Sequence, residues 1–107
     1  MAVRLDKPWQ ALNESNLSKV AGQLGVYELA DEDHRTIYIG SADARSLFGL
    51  KGELSDWMGR ARFFRIEITT AYRTRHRELL MAFHADMNSY PSLNTAGETA
   101  SLGRLSP

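Results

Sequence analysis

Two alternating runs, residues 24–29 and 36–39, flank the polar stretch 30–35 and read together as a β-hairpin, which narrows the possible folds more than anything else in the chain. Period-two alternation sorts the side chains. Val26 falls on one face with Leu24, and Ile37 pairs with Ile39, so Tyr27 and Tyr38 each point away from their apolar neighbours and can share one side of a small sheet. Tyrosines are also good strand formers, and a cross-strand aromatic pair is ordinary packing.

The remaining chain supplies partners for that hairpin. Lys7, Pro8 and Trp9 make a turn-like lead-in, after which Asn16 or Ser15 can cap a short helix over residues 17–23. Beyond the second strand, Ser41, Ala42 and Asp43 offer an N-cap, and Leu47, Leu50, Leu54, Trp57 and Met58 recur at helical spacing. Gly49 and Gly52 each cost about 1 kcal/mol in a helix interior, so a bend or break is expected between them. Gly59 ends this helix. Residues 62–69 alternate as a third strand, with Phe64, Ile66 and Ile68 on one face and Phe63, Arg65, Glu67 and Thr69 on the other.

Thr69 or Thr70 can cap a last helix over residues 71–87, whose apolar stripe runs through Tyr72, Leu79, Leu80, Phe83 and Met87, with arginines on its polar side. After Asn88 the chain turns to Pro, Gly, Ser and Thr, which predicts a mobile tail. The order is therefore helix, strand, strand, helix, strand, helix. It closes most simply as an α+β domain with a three-stranded sheet covered by helices. The chain divides into a lead-in with a short helix (1–23), the sheet domain (24–94) and the tail (95–107).

At 107 residues the chain holds one modest core, and 43% hydrophobic with 24% charged residues argues against wholesale disorder. Cysteine is absent, which excludes disulfides, zinc–thiolate sites and cysteine nucleophiles. No apolar run approaches the roughly 18 residues of a membrane span, and the opening residues lack the apolar core of a secretion signal; a cytoplasmic protein without membrane association is expected. Net charge is zero, yet its distribution is uneven. Glu28, Asp31, Glu32 and Asp33 crowd the hairpin, whereas Arg60, Arg62, Arg65, Arg73, Arg75 and Arg77 follow one another with only Glu67 opposing. These arginines either present a basic surface to nucleic acid or pair with the hairpin acids, Glu53, Asp56 and Glu78. His34, His76 and His84 share no metal-ligand spacing, and Trp9 and Trp57 suit packing.

The paired tripeptides Gly25-Val26-Tyr27 and Tyr38-Ile39-Gly40, the element order, and an acidic residue in the helix after the third strand make the chain resemble the GIY-YIG nuclease family from about Gly25 to Asn94. That resemblance implies an antiparallel sheet and a cleft in which a DNA phosphodiester is cut with a divalent metal, Mg²⁺ or Mn²⁺. It assigns Tyr27 to proton abstraction from water, Tyr38 to orienting water or phosphate, and Glu78 to the metal. Gly25 and Gly40 have structural roles in the two motifs, and Asn94, after Pro91, organises the cleft edge. One carboxylate with waters and phosphate suffices to hold Mg²⁺. The phenol, whose ordinary pKa is about 10, needs a neighbouring metal or arginine to act as a base. The family's arginine falls here on Phe48, or on Leu47 after one deletion; Arg45 is the nearest candidate to replace it.

Two functions follow. The first is a metal-dependent DNA endonuclease with Tyr27, Tyr38, Arg45 and Glu78 as its catalytic site and Arg62, Arg65, Arg73, Arg75 and Arg77 as its nucleic-acid surface, with specificity supplied by DNA shape or a protein partner. The second is a catalytically inactive module that uses the same cleft to bind nucleic acid or a protein. An accidental resemblance predicts instead that Tyr27 and Tyr38 are buried in packing, with no cleft joining them to Glu78.

Overall fold

In the computed structural model, which describes residues 4–43, 46 and 48–94, the chain runs β1 (Gln10–Ala11), α1 (Glu14–Leu17), β2 (Gly25–Ala30), β3 (Thr36–Ala42), α2 (Gly49–Ser55), β4 (Phe63–Ile68) and α3 (Tyr72–Met87). The result is an α+β domain with a four-stranded antiparallel sheet in the order β1-β4-β2-β3 and three helices. The expected sheet had three strands. The fourth is the two-residue β1, in which Gln10 and Ala11 pair with Phe64 and Phe63; a strand so short carries no readable alternation. No helix among the described residues is long and apolar enough to cross a membrane.

Register decides which side chains meet. Tyr27 lies opposite Gly40 on β3 and Ile66 on β4, and Leu29 lies opposite Tyr38 and Phe64. One face therefore carries Tyr27, Leu29, Tyr38, Phe64 and Ile66, and it is covered by Leu50 and Leu54 of α2 together with Leu12, Leu17 and Val20. Val26, Glu28 and Ile39 fall on the other face, beneath Leu79 and Leu80 of α3 and Leu5 of the lead-in. The grouping of Phe64, Ile66 and Ile68 on a single face holds, although Ile68 ends up exposed.

Helix boundaries depart from expectation for identifiable reasons. α1 begins earlier, because Asn13 rather than Asn16 or Ser15 is its cap: Asn13 Oδ1 accepts from the Asn16 N–H at 2.8 Å, and Asn16 Nδ2 donates to the Ala11 carbonyl at 2.9 Å. α2 is short and starts at Gly49, so this glycine opens the helix instead of weakening its interior; Phe48 and Gly49 both hold left-handed backbone, with φ of 63° and 58°. On α3, Leu79 and Leu80 are buried, whereas Met87 at the end of the expected stripe is exposed, since the helix outruns the sheet it covers. The tail 95–107 lies outside the described residues.

Candidate functional site

The antiparallel pairing of β2 and β3 brings the two tyrosines together, with ring centroids 6.0 Å apart. Gly40 makes this possible. A Cβ there would come within 2.5 Å of the Tyr27 phenol oxygen and 2.7 Å of Tyr38 Cε2. Gly25 is similarly constrained, because a side chain would strike the Glu67 carbonyl on the adjacent strand. Both glycines of the tripeptides thus serve the packing around them.

Tyr27 is only 1% exposed and donates its hydroxyl to Glu53 Oε1 at 3.0 Å. The second oxygen of the same carboxylate accepts from the Ser46 hydroxyl at 3.0 Å, and Ser46 Oγ in turn accepts from the Asp43 N–H at 3.1 Å. Glu53 therefore ties the sheet to the connection that precedes α2. Burial, then the Glu53 carboxylate and then Tyr38 push the Tyr27 phenol well above its ordinary range, so the proton stays on oxygen at neutral pH. Tyr38 stacks on Trp57 with centroids 4.7 Å apart, and the Arg60 guanidinium lies 4.3 Å over the indole ring. Tyr27 and Glu53 are at the closed end of this group, and the exposed Arg60 is at its open end.

Glu78 is elsewhere. It stands on α3, which covers the opposite face of the sheet, and its half-exposed carboxylate lies 3.4 Å from Arg75 Nη1. Arg75 also binds both oxygens of Glu67, at 2.8 and 3.1 Å, which positions it between β4 and α3 rather than on the polar side of the helix. Arg65 is engaged as well: Nε donates to the buried Glu28 at 2.8 Å, Nη1 donates to the Lys7 carbonyl, and the guanidinium lies 4.0 Å over Trp9. Burial pushes the Glu28 carboxyl up against the opposing pull of Arg65. Among the candidate phosphate-binding arginines, Arg62, Arg73 and Arg77 are exposed. Arg45 lies outside the described residues, as does Leu47.

Asn94 pairs with the edge of β3. Its Oδ1 accepts from the Ile39 N–H at 3.0 Å and its Nδ2 donates to the Ile39 carbonyl at 2.9 Å, so the side chain pairs with β3 as a neighbouring strand would. His76 Nε2 also reaches that carbonyl at 3.0 Å. No group of three or more histidines and carboxylates able to hold a metal ion is gathered among the described residues.

Sequence reasoning missed Glu53 and the pairing of Arg60 with Trp57. A signal for the first was present, because Glu53 falls inside the stripe formed by Leu50, Leu54 and Trp57, where an acid needs a buried donor. No curated protein and no solved structure matches the chain at a significant level. Residues 3–87 match the family described as a domain of unknown function, DUF7508, and the chain belongs to that family.

Proposed function

We propose that this domain is a catalytically silent relative of the GIY-YIG nucleases that binds nucleic acid. The packed Tyr27 and the placement of Glu78 across the sheet are what an accidental resemblance predicts; against that, a relationship is supported by the antiparallel pairing of the two tripeptides, the two tyrosines on one face, and Asn94 at the edge of β3. The observation that carries the silent reading is the state of Tyr27. A phenol sealed in the core, with its hydrogen donated to Glu53, has neither access to water nor capacity to take a proton from it.

The carboxylate that a metal would need is equally ill placed. Glu78 is separated from the tyrosines by the sheet, and the Arg75 guanidinium beside it repels a divalent cation. These residues do not fit a Mg²⁺ or Mn²⁺ centre serving Tyr27 and Tyr38.

Binding is supported by the cations at the open end of the tyrosine face. Arg60, held over Trp57, and the exposed Arg62 project where β4 begins, and neither is drawn into the carboxylate pairs that occupy Arg65 and Arg75. Phosphate contacts from such residues give affinity without sequence preference and weaken as salt rises. The test joins two assays. Anisotropy of a fluorescein-labelled oligonucleotide should show binding that weakens between 50 and 200 mM salt and weakens again in Arg60→Ala/Arg62→Ala. Plasmid incubated with Mg²⁺ or Mn²⁺ should stay intact. Metal-dependent nicking that disappears in Glu78→Ala and Tyr27→Phe would restore the endonuclease, and absence of binding by the folded protein would reject the nucleic-acid assignment.

A further inference from the structure

β3 is the outer strand of the sheet, and its own residues do nothing to protect that edge. The seven residues Thr36–Ala42 hold no charge and no proline, and Ile37, Tyr38 and Ile39 favour extended backbone, which is the composition of segments that pair with copies of themselves. The opposite side of the sheet is different. There β1 pairs with Phe63 and Phe64, and beyond that pairing β4 carries Arg65 and Glu67, charges of the kind that keep an edge from recruiting another strand.

Protection of β3 comes from a distant part of the chain. Pro91 is buried, and the Asn94 N–H donates to its carbonyl at 3.1 Å, which closes a turn over residues 91–94 beside the strand. From this turn the Leu93 N–H donates to the Ile37 carbonyl at 2.9 Å, while the Asn94 amide holds both the N–H and the carbonyl of Ile39. His76 Nε2 lies 3.0 Å from the same carbonyl. A side-chain amide offers the same donor and acceptor as a peptide group, but unlike a strand it has no second edge to pass on, so the ladder stops there.

We infer that the turn 91–94 is a guard for the edge of β3, and that the partner it keeps away is a second copy of this chain. Both copies present the same uncharged strand, so β3 can pair antiparallel with β3 of the second copy about a two-fold axis at Ile39, joining two four-stranded sheets into one. The N–H and carbonyl of Ile39 that Asn94 occupies are the groups such a pair would exchange.

The experiment is light scattering on a sizing column over a dilution series, with the fold of each variant checked by circular dichroism. Wild type is expected to keep the mass of one chain throughout. Asn94→Ala, which removes both bonds to Ile39, is expected to rise to twice that mass as concentration increases. Ser41→Lys added to it should return the mass to that of one chain, because Ser41 lies on the same strand two residues from Ile39 and a lysine there opposes pairing. Asn94→Asp still accepts from the Ile39 N–H but sets a charge on the edge, and is expected to stay single. If Asn94→Ala fails to fold, Leu93→Pro, which deletes only the donor to Ile37, is read on the same terms. A folded Asn94→Ala that keeps the mass of one chain overturns the guard. So does association that Asn94→Asp shares or that Ser41→Lys leaves unchanged, because lost stability or another surface is then responsible. A wild-type dimer that Ser41→Lys dissolves also overturns it, since the edge is then already in use.

Discussion

Tyr27 shows how one side chain changes meaning with its neighbours. Its position on β2 follows from alternation, but its chemistry depends on Glu53, which is 26 residues away in sequence. Replacing Tyr27 by phenylalanine deletes the hydrogen bond to a carboxylate and should destabilise the domain by about 1–2 kcal/mol at pH 7, measurable by urea unfolding. The pH dependence has a definite sign. The folded-state pKa is raised above the unfolded value, so the contribution is complete below pH ~10 and is lost as the unfolded phenol ionises above it. Wild type should therefore lose stability more steeply than Tyr27→Phe between pH 9 and 11; parallel profiles would contradict the burial of this phenol. At Gly40 the added methyl of Gly40→Ala meets both tyrosine rings, and thermal denaturation should report a loss of about 2 kcal/mol or more.

Elements were legible where a periodic pattern ran long enough to choose a face. β2, β4 and α3 were read nearly in place because each alternates or repeats over at least six residues, whereas β3 runs on past the expected 36–39 through Ser41 and Ala42, which pair with β2 instead of capping a helix. β1 was not legible, since two residues have no period. α2 was misjudged in length because a glycine reads the same whether it interrupts a helix or opens one; only the left-handed φ of Phe48 and Gly49 settles which. The tyrosine pair of the candidate site was visible in the same alternation, whereas its separation from Glu78 was not. Which face α3 covers is decided by Val26 and Ile39 packing on Leu79 and Leu80, a long-range choice that leaves no mark near Glu78 itself. The edge of β3 offers a check at this scale. Asn94→Ala removes two hydrogen bonds to Ile39, and amide exchange at Ile39 should accelerate several-fold while the β2–β4 amides are unaffected. Unchanged exchange at Ile39 would mean that this side chain does not hold the edge.

Across the whole molecule the two faces of the sheet differ in what holds them. The tyrosine face is apolar apart from one carboxylate and its donors, while the α3 face carries charge pairs, Arg65 with Glu28 and Arg75 with Glu67, beside its apolar cluster. Removing Arg65 alone, as in Arg65→Leu, leaves the Glu28 charge buried and should cost about 2–3 kcal/mol at pH 7. Glu28 already has its pKa raised by burial, and losing the guanidinium raises it further. The deficit should shrink as pH falls and the carboxyl becomes protonated, a trend that paired chemical denaturations would reveal. The lead-in binds these layers into one body: Leu5 packs beneath α3, Arg4 joins Asp86 through two contacts of 2.6 and 2.7 Å, and Gln10 pairs with Phe64. Every one of those partners lies beyond residue 25, so during synthesis residues 4–11 must wait for segments that are made after them. Leu5 has no helix to cover it, and β1 no strand to join, until α3 and β4 have left the ribosome.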